Sequence, residues 1–166
     1  MRIRHAEWRD YDDIQRIYAA ARQYMRDSGN PTQWGDEWPP DEMVREDIEQ
    51  QTSYVIEDET GVHGVFALVL GDDPTYDLIE DGAWLNDDPY ATIHRIASDG
   101  AIRGVFEATF EFSRNIEPNL RIDTHADNLT MQHVIEKTGF VHCGTIYHTD
   151  GTPRIAYQQP CERRER

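Results

Sequence analysis

From position 120 to 144 the chain reads LRIDTHADNLTMQHVIEKTGFVHCG, and few local folds satisfy that order of residues. Leu120, Ile122 and Thr124 alternate with Arg121, Asp123 and His125, the period of a strand with one buried apolar face. Asp127 or Asn128 then caps a helix that carries Met131, Val134 and Ile135 on one side. Gly139 ends that helix, because a residue free to take positive φ closes the last turn. A further strand is predicted over 140–147.

Upstream, residues 2–8 form an opening strand, and Asp10 caps a helix presenting Ile14, Ile17, Tyr18, Ala21 and Met25 at helical spacing. Ser28 to Asn30 end it, and the turn-rich NPTQWGDEWPP leads into a short acidic helix over 41–51. Segments 53–56 and 62–70 flank DETG and pair as a hairpin with Gly61 in the left-handed position. Segment 71–90 is a long, acidic connection of the kind that covers a site. A strand over 92–97, a helix over 104–113 and a last strand over 154–158 complete the order. Strands alternating with helices in this way predict an α/β chain of the α+β type, with a central mixed, twisted sheet and helices on both faces.

The 166 residues suit one domain, expected over 1–160, with 161–166 a solvated tail. The N-terminal MRIRHAEW lacks an apolar core and no aliphatic run is long enough to cross a bilayer, so a soluble, cytoplasmic protein is expected. Cys143 and Cys161 have no metal-site spacing and are expected as free thiols. Asp plus Glu number 32 against 16 Lys plus Arg, a balance that repels nucleic acid and anionic membrane. The same excess either attracts a cationic substrate or simply keeps the protein soluble. No partner chain is implied, and a homodimer is compatible with the sequence.

With IHRIAS and RGVFEA upstream of the opening motif, the arrangement resembles the acyl-CoA-binding half of the GNAT superfamily of N-acetyltransferases. The resemblance implies a single GNAT-like domain using acetyl-CoA as co-substrate and a primary amine of a small molecule or peptide as acceptor. It implies that the backbone of Ile96, Ala97 and Ser98 receives the pantetheine arm. Arg103, Gly104, Val105, Phe106, Glu107 and Ala108 then supply the loop and first helical turn for the pyrophosphate, where free N–H groups and the helix dipole converge. Arg103 and Ala108 match the ends of the family pattern, while Phe106 stands where its middle Gly belongs. Phe106 with Phe110 also reads as a core stripe at i, i+4. Asn128 matches an Asn that contacts the cofactor in relatives, and it equally serves as an N-cap.

Acetyl transfer to an amine needs a group to accept the amine proton, since a Lys-like amine titrates at about 10.4. His94, on the strand lining the site, suits this because a free imidazole titrates at about 6.5. Glu80 and Asp123 are the other candidates, although Asp123 is also expected to pair with Arg95 or Arg121 across neighbouring strands. Many relatives place an acid Tyr where this chain has Ile135, so Tyr147 or Tyr157 substitutes or no acid is used. A thiolate leaves readily without one, its pKa being about 8.5. Asp123, His125 and Asp127 form no recognised metal spacing, so no metal is expected. Trp34 and Trp38, beside Asp36, Glu37, Asp41 and Glu42, are expected to rim the acceptor site or to pack beneath their loop. The alternative from another class is a non-catalytic acyl-CoA sensor or interaction module on the same fold, motivated by Phe106 and Ile135.

Overall fold

Salt-bridged and apolar residues near the N-terminus set the first turn of the fold. The Asp10 carboxylate accepts two hydrogen bonds from the Arg4 guanidinium, at 2.7 and 2.9 Å, and one from the Glu7 backbone N–H at 2.8 Å. Asp10 therefore starts the first helix without capping it through its side chain, which corrects the expected cap. The opening strand also stops earlier than expected, at His5, because residues 8–10 turn into a 3₁₀ segment.

The computed structural model describes residues 1–161; of the expected tail, 162–166 lie outside the described residues. In chain order the elements are β1 (Arg2–His5), α1 (Tyr11–Asp27), α2 (Asp41–Glu49), β2 (Ser53–Asp58), β3 (Gly61–Leu70) and β4 (Ala91–Ser98). They continue with α3 (Val105–Ile116), β5 (Leu120–Thr124), α4 (Leu129–Lys137), β6 (Val141–Tyr147) and β7 (Pro153–Gln158). The seven strands form one sheet in the order β1-β2-β3-β4-β5-β7-β6. All neighbours run antiparallel except β4 and β5, so the sheet is mixed, as the sequence predicts.

The alternation of apolar residues divides the core between the two sheet faces. Phe66, Leu68, Ile93 and Ile122 pack under α3 and α4 with Phe110, Ile135 and Phe140. Val55, Val65 and Ala97 face the other way, against Ile14, Ile17 and Tyr18 of α1 and Val44 and Ile48 of α2. A smaller cluster of Tyr76, Tyr90, Ile146 and Ala156 lies under the 71–90 connection. That connection is anchored by Arg121, whose guanidinium sits 4.1 Å from the Trp84 ring centre and 3.9 Å from that of Tyr90. Its Nη2 donates to the Asn86 carbonyl at 2.8 Å, so Arg121 does not pair with Asp123 as expected. Among the described residues no helix is long and apolar enough to cross a membrane.

Close packing at β3 fixes the start of α3. A Cβ added to Gly64 would lie 2.7 Å from Val105 Cγ1, closer than real contacts allow, and a tight 3.2 Å from Ile56 Cβ. Gly64→Val should therefore lose about 1–3 kcal/mol of stability through overpacking, read from urea unfolding; an unchanged midpoint would contradict this packing.

Candidate active site

The site begins where the two parallel strands part. β4 and β5 are paired at Ala91 with Leu120 and Thr92 with Arg121, and then diverge. Beyond Thr92 the β5-facing edge of β4 has no strand partner, so its backbone donors and acceptors are available to a ligand.

A second irregularity sits in the same stretch. Ala67 faces His94 and Val65 faces Ala97, so Phe66 alone is opposite both Arg95 and Ile96, which is a β-bulge. Arg95 takes φ +51°, a left-handed conformation uncommon outside Gly. Its side chain is clamped by Asp47 of α2, with Nε to Oδ2 at 2.8 Å and Nη2 to Oδ1 at 2.9 Å. The Tyr18 hydroxyl donates to the Arg95 carbonyl at 3.2 Å. The extra residue exchanges the two faces of β4. Ala91 and Ile93 face the α3/α4 core before the bulge and Ile96 faces it afterwards, while Ala97 joins the α1/α2 core.

Two cavities open on this splayed edge. The larger, about 400 Å³, is lined by Ile96, Ala97 and Ser98, by the 99–104 loop and the start of α3, and by Tyr24 of α1 and Asn128 of α4. Gly104 precedes α3 at φ +80°, and no side chain caps the helix. The amides of its first turn are thus unclaimed among the described residues, pointing positive charge into the cavity. Arg103, Gly104, Val105, Phe106 and Glu107 all line it. Ala108 does not, and its N–H bonds the Gly104 carbonyl at 2.9 Å. Phe106 is half-buried against the α3/α4 core together with buried Phe110, so the stripe expected from their spacing forms without filling the cavity. Ser98 Oγ is engaged by the Gly100 N–H at 3.0 Å.

The smaller cavity, about 260 Å³, lies between the parted strands and the 30–40 loop. Trp34 and Trp38 line it, and Trp38 meets His148 of the β6–β7 turn edge to face at 5.1 Å. Asp36, Glu37, Asp41 and Glu42 do not line it; Asp36 pairs with Arg26 and Asp41 with Arg45. The carboxylates that do line it are Asp73 and Asp123. Met25, Ile96, Asn128 and Met131 border both cavities, so the two meet above the bulge.

Hydrogen bonds organise the polar wall of this smaller cavity. His94 Nε2 lies 2.8 Å from Asp73 Oδ2, and Asp73 Oδ1 accepts from the Thr75 N–H and hydroxyl at 2.9 and 2.7 Å. Burial pushes the Asp73 carboxyl up, but its hydrogen bonds with His94 and Thr75 outweigh burial and bring it to about 2. The Tyr76 hydroxyl donates to Asp123 Oδ2 at 2.6 Å, and burial with that carboxylate holds the phenol well above its ordinary range. Asn128 caps α4, accepting from the Met131 N–H at 3.0 Å and donating to Gln33 Oε1 at 2.9 Å. Gln33 Oε1 also accepts from Asn30 at 2.8 Å.

Of the residues expected in catalysis, His94 and Asp123 line the smaller cavity, whereas Glu80 and Tyr147 line neither. They bond each other instead, hydroxyl to carboxylate at 2.8 Å, beside the outer strand β6, and Glu80 pushes the Tyr147 phenol up. Tyr157 is buried in the α3/α4 core with its hydroxyl 3.2 Å from Glu136, and burial raises it to about 12. Asp123 is taken by Tyr76, and Arg95 by Asp47, so neither makes the expected cross-strand pair. His125 Nδ1 accepts from the Asp127 N–H at 3.0 Å. Sequence reasoning missed Asp73, Tyr76, Arg154 and the Asp47 clamp. Asp73 did carry a signal, since Asp-Pro-Thr is a helix start with Pro in the first turn.

The sheet split, the bulge and the uncapped helix form together the site that the resemblance to N-acetyltransferases implies. The sequence matches the family model "Acetyltransferase (GNAT) domain" over residues 1–141, and the chain belongs to that family. It is similar in structure to a GNAT-family acetyltransferase from Streptococcus agalactiae, with 32% identity, a TM-score of 0.85, and coverage of 98% of this chain and 96% of that one. A Listeria monocytogenes GNAT-family acetyltransferase shares the fold at 22% identity and a TM-score of 0.70, covering 95% and 93% of the two chains. The NatC complex bound to Gag peptide and CoA shares it at 12% identity and a TM-score of 0.63, covering 97% and 98%. No curated protein sequence matches the chain.

Removing one partner of the Asp47 clamp would leave the partly buried Arg95 unpaired. Asp47→Ala should cost about 1.5–3 kcal/mol, measured by denaturant unfolding, and an unchanged stability would contradict the clamp. The Asp73 carboxyl, lying below its ordinary 3.8, stabilises the fold fully above that value and loses its effect as pH falls toward about 2. Asp73→Asn should flatten the unfolding free energy between about pH 4 and pH 2 by about 2 kcal/mol relative to the parent; parallel curves would contradict the assignment.

Proposed function

We propose that this chain transfers the acetyl group of acetyl-CoA to a primary amine of a small molecule or peptide, the two substrates meeting over Ile96. The observation that carries this reading is the junction of the two cavities at Met25, Ile96, Asn128 and Met131, beside the unpartnered edge of β4. Acetyl-CoA supplies an activated thioester carbonyl.

The larger cavity fits such a co-substrate in its chemistry. The unclaimed amides from Gly104 through Glu107 suit a diphosphate, and the open edge from Ile96 to Ser98 suits an amide-bearing arm. Arg103 adds positive charge at the loop, and Asn128 reaches the cavity from α4. A neighbour of the same fold was solved with CoA and a peptide, which supports this use of the fold.

His94 is the group we assign to the amine proton. Asp73, ionised far below neutrality, takes the proton on His94 Nε2 as a hydrogen bond and leaves Nδ1 as the basic nitrogen. Asp73 thereby positions the ring. A backbone N–H near Ile96, fixed by the bulge, is the donor for the oxyanion that develops during transfer. The leaving thiolate needs no acid from the chain, consistent with Tyr147 and Tyr157 lining neither cavity.

His94→Gln should lower kcat by about 100-fold or more in a free-thiol release assay, with little change in acetyl-CoA affinity; retained turnover would remove His94 as base. Asn128→Ala should weaken acetyl-CoA binding measured by calorimetry, and unchanged affinity would reject its contact with the co-substrate.

A further inference from the structure

We propose that the acceptor carries a carboxylate as well as its amine, and that Arg154 receives that carboxylate in the smaller cavity. This deepens the acetyl-transfer reading and rests on it for the role of the amine.

Arg154 stands on β7 and its side chain lines the smaller cavity, yet the residue is only 5% exposed. Asp123 faces Ala156 in register, so Arg154, two residues away, projects from the same sheet face as Asp123. Its Nη1 donates to Thr152 Oγ1 at 2.7 Å and to the Pro153 carbonyl at 3.2 Å. Among the described residues no carboxylate reaches ion-pair distance from it. The nearby acids are otherwise engaged. Asp123 accepts from Tyr76, and Asp150 accepts from the Thr152 N–H and hydroxyl at 2.9 and 2.6 Å and lies 3.5 Å from His148.

Among the described residues Arg121 is the other buried arginine, and Arg4 and Arg95 are partly buried; together they show what Arg154 lacks. Arg4 is shared by Asp10 and Glu57, Arg95 is clamped by Asp47, and Arg121 lies between two aromatic rings with a carbonyl at its tip. Among the described residues Arg154 has neither a carboxylate at ion-pair distance nor an aromatic face over its guanidinium, and a buried arginine so placed is poised for an anion brought from outside. Burial pulls its pKa down, with Asp123 and Asp150 acting against that, and a bound carboxylate would restore the pairing. A guanidinium fork matches a carboxylate with two parallel hydrogen bonds.

The remaining walls fit the rest of such a molecule. Trp34, Trp38, Met43 and Ile146 offer apolar surface, and Asp73 with His94 lies ready for the amine. At about 260 Å³ the cavity falls below the usual range of drug-sized sites, about 300–1,000 Å³, which suits a free amino-carboxylate.

The test uses the CoA-saturated protein and isothermal calorimetry with the proteinogenic L-amino acids, β-alanine and γ-aminobutyrate, each against its carboxamide. At least one acid should bind about tenfold more tightly than its amide, and Arg154→Gln should bring that ratio to about one while CoA affinity stays unchanged. Arg154→Lys, keeping the charge without the fork, should retain part of the preference and serves if the Gln variant does not fold. Amides binding as well as acids, no acid binding at all, or a preference that survives Arg154→Gln would each overturn the proposal. Free-thiol release with acetyl-CoA and the same compounds separates the two readings. A binding preference without turnover would reject acetyl transfer and leave the carboxylate site standing, whereas equal turnover of acids and amides would do the reverse.

Discussion

The clamp between Asp47 and Arg95 is the interaction on which the site depends. Arg95 occupies the left-handed region, a conformation that persists where the surroundings over-determine it. Two hydrogen bonds from its guanidinium to Asp47 and one from Tyr18 to its carbonyl supply that constraint. With Arg95 so held, one extra residue is accommodated in β4 and the strand turns its faces over. His94 then lines the smaller cavity, and Ile96, two residues on, borders both cavities. Both α1 and α2 contribute to this constraint, which couples the helical layer behind the sheet to the chemistry in front of it.

Charge is used in two ways across the molecule. The guanidiniums of Arg4, Arg95 and Arg121, partly or fully buried, are consumed in structure, and each is matched by carboxylates or by aromatic faces with a carbonyl. The polar groups that border the smaller cavity are instead arranged in short relays, Asp73 to His94 and Tyr76 to Asp123. Both relays depend on the 71–90 connection, which brings Asp73 to the cavity wall and Tyr76 behind Asp123 while Arg121 stacks on Trp84 and Tyr90. A segment rich in carboxylates is therefore ordered by one arginine and its aromatic partners.

The periodic elements were legible in the sequence because their signals are local. Ile14, Ile17, Tyr18 and Ala21 are the buried face of α1, Asn128 caps α4 through its own side chain, and Gly139 takes φ +95° after the helix stop. The pairing of polar groups was not legible. Asp47 and Arg95 are 48 positions apart, and Asp73 lies 21 positions from His94 in a connection with no periodicity to align it. Asp123 is expected to pair with Arg95 or Arg121, but Arg121 lies on Asp123's own strand and is claimed by aromatic stacking, Arg95 is held by Asp47, and a buried phenol takes Asp123. Phe106 shows the reverse case, where a departure from the family pattern packs partly against the core under α3 and still borders the larger cavity. Only residue type points to Glu80 and Tyr147, and the antiparallel bridge of Glu80 to Thr145 carries them to the sheet edge.

The central claim is that one continuous path runs from the uncapped start of α3, along the free edge of β4, to His94. A crystal structure of the protein with CoA tests it most directly. The account predicts the diphosphate against the amides following Gly104 and the thiol sulfur above Ile96, at the junction of the two cavities. A structure with no nucleotide bound, or with the sulfur directed away from Ile96, would contradict it.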